Sequence, residues 1–349
     1  MRIVVVGAGI MGCATALELA ARGVQDIVVL ERAVPGAEAS SAAAGMLAAQ
    51  LESHDDEELT RFVAARDAYE AWALALRDRT GIDVGHRKSG ALEIVRDESS
   101  LAEARARVER HRARGLRAEL LDRKGALAVE RALGDDALHA AYYPDEAQVD
   151  PPQLLRALVA AVARAGIVVR SGATVSSLLR EGERCIGVSL DGKEIVRADA
   201  VLLAAGSWSS LVPGIPDSLP RVRPVRGQLV MLEERPPAVH TILTADQAYV
   251  VPRGDGRVVC GSTMEDVGHV RGVTAEGAQR ILASAIALSP SLASAELTKT
   301  WCNFRPHVAG RPLVGASPLP GLFLATGHHR NGILLAKSTA EDCASAILS

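Results

Sequence analysis

Residues 1–31, MRIVVVGAGIMGCATALELAARGVQDIVVLE, decide the fold of this chain. The β-branched run Ile3 to Val6 predicts a short buried strand. Gly7-Ala8-Gly9-Ile10-Met11-Gly12 predicts a tight turn that opens an alanine-rich helix, and a second apolar run, Ile27 to Leu30, ends in Glu31. Strand, glycine turn, helix, strand and acid together make the full context of a dinucleotide site. Gly7 permits the turn, Gly9 lets backbone approach a pyrophosphate, and Gly12 lets the helix pack closely on the strand. The helix N-terminus offers N–H groups and a partial positive charge to phosphates. Glu31 is placed to accept hydrogen bonds from a ribose diol, and its charge would repel a 2′-phosphate. That favours NAD or FAD over NADP, and the motif alone does not choose between those two.

At 349 residues the chain can bury one large core or two smaller ones. Its net charge of -3 gives no reason to expect nucleic acid or an anionic membrane as partner. Cys13, Cys185, Cys260, Cys302 and Cys343 are scattered without a CxxC pair. That pattern fits a reducing cytoplasm better than a disulfide framework or a zinc site. The apolar N-terminus is broken by glycines with fixed meaning and followed by Glu18 and Glu31, so it is not read as a signal peptide. No apolar run is long enough to span a bilayer.

Small residues fill 37–47, and apolar spacing predicts one helix over 57–80. A strand is expected at 90–95. The Arg- and Glu-dense stretch 101–132 reads as a solvated helical face without function. Asp150-Pro151-Pro152 predicts a helix over 153–165 with Asp150 as N-cap. Strands follow at 167–170 and 175–179, with a hairpin at Asp191-Gly192 and a buried strand from Ala200 ending in Gly206. Antiparallel strands are expected at 228–232, 248–252 and 257–262, then a helix at 274–288 and strands at 297–304 and 322–325. Thr326-Gly327-His328-His329-Arg330-Asn331-Gly332 leads into a final helix from Ile333. Nucleotide-type βα units therefore occur at the start, in the middle and at the end, interrupted by a β-rich block. The expected class is α/β: a discontinuous Rossmann-like FAD-binding domain (1–83, 145–220 and 306–349) with an inserted antiparallel β-sheet substrate domain carrying helices (84–144 and 221–305). Common NAD dehydrogenases keep the dinucleotide domain continuous, whereas the split arrangement is characteristic of FAD oxidoreductases.

Three further segments converge on a common site. Tyr249 to Arg253 lies on a strand, Trp301 to Pro306 is a strand ending in Arg305, and Gly327 to Gly332 is a loop. An arginine at a strand end, fixed by a following proline, suits bidentate binding of a carboxylate. Such a charge-assisted pair is worth about 1.5–3 kcal/mol. Adjacent His328 and His329 on a loop are expected to point apart rather than to form a metal pair, and no metal is expected.

SSAAAGML (Ser40 to Leu47), Gly261-Ser262-Thr263-Met264 and GHHRNGILLA (Gly327 to Ala336) resemble signatures of the glycine oxidases within the D-amino-acid oxidase family of FAD enzymes. The likeness runs over nearly the whole chain. It departs at His329, where the family has Phe or Tyr, at Asn303-Phe304, where Gly-Leu is usual, and in lacking the C-terminal tail of some relatives. The resemblance implies that Arg305 holds the substrate carboxylate, that Tyr249 donates a hydroxyl to it, that Arg330 is a second arginine at the substrate end of the flavin, and that Met264 lines the pocket. It places FAD contacts at Gly7, Gly9, Ile10, Met11, Gly12, Glu31, Arg32, Ser40, Ser41, Ala44, Gly45, Met46, Val175, Gly206, His328, His329, Arg330, Asn331, Gly332, Ile333 and Leu334.

It further implies hydride transfer from Cα to flavin N5 with no side-chain base, so that the protein's contribution is orientation. The last helix, from near Gly332, is expected to aim its positive end at the flavin C2 carbonyl. Non-covalent FAD is expected, although some sarcosine oxidases use a cysteine and Cys302 lies close to Arg305. The implied activity is oxidation of glycine or small N-substituted glycines to glyoxylate with hydrogen peroxide formed from oxygen, in a thiamine thiazole setting. The alternatives are a D-amino-acid oxidase or dehydrogenase, an oxidase of a bulkier N-carboxymethyl amine, or a dehydrogenase feeding a quinone. A cytoplasmic homo-oligomer, tetrameric as in relatives, is the expected state.

Overall fold

The computed structural model describes all residues, 1–349. Arg2–Val6 is the centre of a six-stranded sheet. It pairs in parallel with Asp26–Glu31 on one side and Ala200–Leu203 on the other. Val168–Ser171 and Leu322–Thr326 extend the sheet in parallel, and Leu313–Ala316 closes it antiparallel. The period of two in a strand sends alternate side chains to opposite faces. Ile3 and Val5 pack with the helices Ile10–Ala21, Pro151–Arg164 and Ala336–Leu348. Val4 and Val6 pack instead with a three-stranded antiparallel sheet, through Leu178, Val188 and Leu190. Both faces are covered, which is why these strands read as continuous apolar runs.

A second sheet has eight strands, ordered Glu296–His307, Arg223–Glu233, Arg257–Gly261, Ala248–Pro252, Ile242–Ala245, Ala91–Val95, His139–Tyr143 and Glu119–Asp122. Val230, Leu232, Val250 and Val258 face the helix Ala275–Leu288, which buries Ile281, Ala285 and Leu288 against them. Leu229, Tyr249, Val251 and Val259 form a separate apolar cluster, and Leu229 and Tyr249 border the large cavity described below.

Several elements differ from the sequence-based expectation. The stretch 57–80 is two helices, Asp56–Asp67 and Tyr69–Thr80, joined at Ala68. The break lets Phe62 and Ala65, then Tyr69, Ala73 and Leu76, all enter one core. The polar stretch 101–132 contains the helix Glu98–Ala113, but continues as the strand Glu119–Asp122 and the helix Arg123–Val129. Asp150 occupies the N-cap position without a capping hydrogen bond. Its Oδ2 accepts from Arg257 at 3.1 Å, because a guanidinium beside it is the stronger donor. The strand 297–304 extends to Glu296–His307, so Arg305 lies within it. The last regular helix begins at Ala336, preceded by an irregular turn in which Leu335 N–H donates to Asn331 O at 2.9 Å. No helix is long and apolar enough to cross a membrane.

Candidate active site

A cavity of about 370 Å³ runs from the first glycine turn and Glu31 to Arg305 and the loop 328–333. At its first end Gly7 has φ +104°, and a Cβ there would lie 2.5 Å from Ala204 O. A Cβ at Gly12 would lie 1.9 Å from Gly7 O, so only glycine allows helix and strand to pack this closely. Gly9, the N-cap residue of the helix, makes no capping hydrogen bond of its own. Ser40 Oγ accepts from Ile10 N–H at 3.1 Å and ties the 37–47 segment to that turn. Ala8 and Ala33 N–H groups donate to Glu31 Oε2 and Oε1 at 3.0 and 2.9 Å. A carboxylate has about four acceptor sites, so each oxygen keeps capacity for a ribose hydroxyl. Arg32 lies 3.8 Å from the Trp208 ring centroid and donates to Glu38 at 2.8 Å. The helix N-terminus, the Cβ-free turn and the partly satisfied acid fit a bound dinucleotide.

At the other end, Arg305 Nη1 donates to Thr263 O at 3.2 Å and Nη2 to Ser262 Oγ at 2.8 Å. Both partners are neutral acceptors, with no carboxylate among them, and Arg305 borders the cavity. Gly227 makes room for it, since a Cβ there would sit 2.1 Å from Nη1. Tyr249 lies over Gly261, whose Cβ would come within 2.4 Å of the Tyr249 hydroxyl. Arg330, in contrast, is paired. Its Nε donates to both oxygens of Glu52, at 3.1 and 3.0 Å, and its Nη2 to Oε1 at 2.5 Å.

His329 has φ +49° and donates its backbone N–H to Pro306 O at 2.8 Å. Its ring stands edge-on to His307 with centroids 5.0 Å apart, and its buried Nε2 has no partner. Burial, then the charges of Arg305, His307 and Arg330, push its pKa down to about 4. His328 is 3% exposed and its Nε2 meets Thr339 Oγ1 at 2.9 Å. Burial above all holds its pKa at about 3. The two rings thus serve different neighbours.

Of the expected site residues, Gly7, Gly9, Ile10, Met11, Glu31, Arg32, Ser40, Ala44, Gly45, Met46, Val175, Gly206, Tyr249, Arg305 and 328–333 border this one cavity. Four do not. Gly12 packs on Gly7. Leu334 is buried in the core. Ser41 faces a smaller neighbouring cavity, which Cys302 also borders. Met264 is 43% exposed and does not line the pocket. Thr263 turns inward to accept Gln228 N–H at 2.9 Å, and the alternation of an extended chain sends Met264 outward. Glu52 and Trp208 border the cavity and were missed. Glu52 follows the SSAAAGML segment by five residues, and Trp208 lies two past Gly206, so both sat beside stretches already singled out.

The split sheet, the glycine turn with Glu31 and the long cavity ending in an unpaired arginine define a flavin-type dinucleotide oxidoreductase. The chain belongs to the family described as FAD dependent oxidoreductase, whose model matches residues 2–346. It is similar to the bifunctional protein ThiO/ThiG of Trichormus variabilis, 35% identical over 344 residues, which cover 97% of this chain and 51% of that protein. The chain thus spans about half the length of that relative. It is also similar to the glycine oxidase of Geobacillus kaustophilus, 33% identical with 97% of this chain and 90% of that protein covered. The crystal structure of glycine oxidase from Geobacillus kaustophilus superposes with a TM-score of 0.94 at 32% identity, covering 99% and 94% of the two chains. FAD is accordingly the cofactor of this family, and the first end of the cavity has the features of a dinucleotide site.

Proposed function

We propose that this chain oxidises glycine and small N-substituted glycines. Glycine, water and oxygen give glyoxylate, ammonia and hydrogen peroxide, through an imine that water hydrolyses. The observation that carries this reading is Arg305. It is a guanidinium on the cavity wall with no carboxylate partner of its own. An unpaired charge beside a cavity calls for an anion, and its fork matches a carboxylate in two parallel hydrogen bonds. Similarity to proteins named glycine oxidase supports the same substrate.

Bound FAD supplies the two-electron acceptor and returns the electrons to oxygen. The chain's own residues do the rest. Gly7, Gly9 and the helix N-terminus receive the pyrophosphate, and Glu31 the ribose. Arg305 anchors the substrate carboxylate, Tyr249 donates its hydroxyl to the same group, and His329, neutral at physiological pH because its pKa is about 4, adds no competing cation. Fixing Cα by its carboxylate is the orientation the reaction needs. No side-chain base is assigned, since a neutral substrate amine supplies the electron pair. We divide the chain as 1–83, 145–220 and 306–349 for FAD and 84–144 and 221–305 for substrate, with the boundary at 305/306 falling inside the strand Glu296–His307. FAD is non-covalent in this reading: Cys302 Sγ accepts Gly272 N–H at 3.2 Å and faces the smaller cavity. In this reading the glyoxyl imine feeds thiazole formation, in keeping with similarity to a protein named ThiO/ThiG, and the chain works in the cytoplasm as a homo-oligomer.

The test is peroxide and glyoxylate production by FAD-loaded protein with glycine and sarcosine. Arg305→Met should raise KM for both by about a hundredfold, the loss of a charge-assisted pair of about 3 kcal/mol. An unchanged KM would overturn the assignment.

A further inference from the structure

Glu52 ends the short helical turn Ala49–Glu52, and Arg330 lies on the loop before the last helix. The two side chains are 17% and 25% exposed, and both border the large cavity near Arg305. Glu52 is held from behind. In the same turn Gln50 N–H donates to buried Glu146 at 2.7 Å, Gln50 Nε2 donates to Arg117 O at 3.1 Å, and Arg66 donates to Gln50 Oε1 at 3.0 Å. The backbone that carries Glu52 cannot swing away without breaking that buried network. Arg330 is therefore engaged on Nε and Nη2 by a fixed carboxylate, while Arg305 has none.

The charges at this end count as two guanidiniums and one carboxylate, which leaves one unit of positive charge for a guest. A guest with one carboxylate closes that balance at Arg305. A second carboxylate would have to displace Glu52 from Arg330 or be buried close to it as a like charge, and removing one partner from a shielded ion pair is costly. We propose that Glu52 is a specificity residue: by occupying Arg330 it confines the site to amino acids with a single carboxylate and rejects N-substituents that carry a second. This rests on the proposed function and narrows its substrate class. Specificity of this kind comes from a repulsive element as much as from an attractive one.

The experiment compares FAD-loaded wild type, Glu52→Gln, Glu52→Asp and Glu52→Gln/Arg330→Gln. Calorimetry gives Kd for two acids that cannot be oxidised at a Cα–N bond, glycolate with one carboxylate and oxydiacetate with two. Turnover gives kcat/KM for glycine, sarcosine and iminodiacetate. Glu52→Gln should shift the ratio of oxydiacetate to glycolate affinity by about tenfold or more towards the diacid, and iminodiacetate turnover should rise against glycine in parallel. Glu52→Asp, which keeps the charge, should retain wild-type discrimination. The double variant should lose the gain, because the gain requires a freed Arg330. Wild type binding oxydiacetate as tightly as glycolate, Glu52→Gln leaving the ratio unchanged, or the double variant keeping the gain would each overturn the proposal. Wild type turning over neither glycine nor sarcosine would overturn the proposed function instead, and the binding ratios would still decide the role of Glu52.

Discussion

Gly227 and Arg305 lie on neighbouring paired strands, and a methyl group at 227 would sit 2.1 Å from Arg305 Nη1 and 2.5 Å from its central carbon. The glycine is the space in which the guanidinium rests. Its job is not a special backbone angle but the volume a side chain would take. Gly227→Ala should therefore push Arg305 off Ser262 and Thr263 and raise KM for glycine by about tenfold or more, since small displacements of a positioning group carry large costs. FAD content should stay at the wild-type level, because a methyl group at 227 would meet Arg305 and neither Glu31 nor the glycine turn. Steady-state kinetics with a flavin absorbance count check this, and an unchanged KM would show that Arg305 is not the anchor.

Glu31 accepts two backbone N–H groups, one from the glycine turn and one from the chain just after the strand. Glu31→Gln must turn an NH2 group towards one of those donors, which leaves that N–H without its partner and costs up to about 1–3 kcal/mol, most if it is the buried Ala8. The same change removes an acceptor for the ribose. FAD affinity should fall by about tenfold or more, read as recovery of free-flavin fluorescence on dilution. Retention of FAD at wild-type affinity would exclude Glu31 from the cofactor site.

Acid should destabilise this fold earlier than carboxylate titration alone would. Burial lowers the pKa of His111 to about 4, of His328 to about 3 and of His329 to about 4, from an ordinary value of 6.5. The unfolded chain therefore takes up these protons first. The stability that the neutral rings contribute is present above pH 6.5 and is lost as pH falls towards 4. Each ring contributes up to about 1.4 kcal/mol per pH unit in that window. Urea unfolding between these limits should show the effect, and His329→Phe should reduce the slope by about one proton.

Glu146 works in the opposite direction. Burial raises its carboxyl to about 7, against the favourable charge of Arg66 and the N–H of Gln50. A group raised on folding gives stability that is complete below its ordinary 4.5 and is lost as pH rises through about 7. Glu146→Gln should gain on wild type steadily over that interval in the same urea experiment. A constant difference would mean that Glu146 is ionised throughout.

How far the sequence revealed this arrangement depends on what each feature required locally. The glycine turn, Glu31 and the flanking strands were legible because each is dictated within a few residues by sterics and strand periodicity. Arg305 was legible as a cation followed by proline, although the strand runs on to His307 because pairing with 223–225 continues past it. The Glu52–Arg330 pair was not, since it joins residues 278 positions apart and no local pattern announces it. Met264 was misplaced for a related reason: its outward direction is set by Thr263 bonding to Gln228, a tertiary contact. The break at Ala68 was hidden because both helices bury the same spacing of apolar residues in one core.

On the reading proposed above, the large cavity holds FAD at one end and presents glycine to the flavin at the other. The decisive measurement is the visible absorption spectrum of purified, FAD-loaded protein before and after anaerobic addition of glycine. Glycine should bleach the oxidised flavin spectrum, and the spectrum should return, with stoichiometric peroxide, when oxygen is admitted. A flavin spectrum that neither glycine nor sarcosine changes, or a protein that retains no FAD, would contradict this.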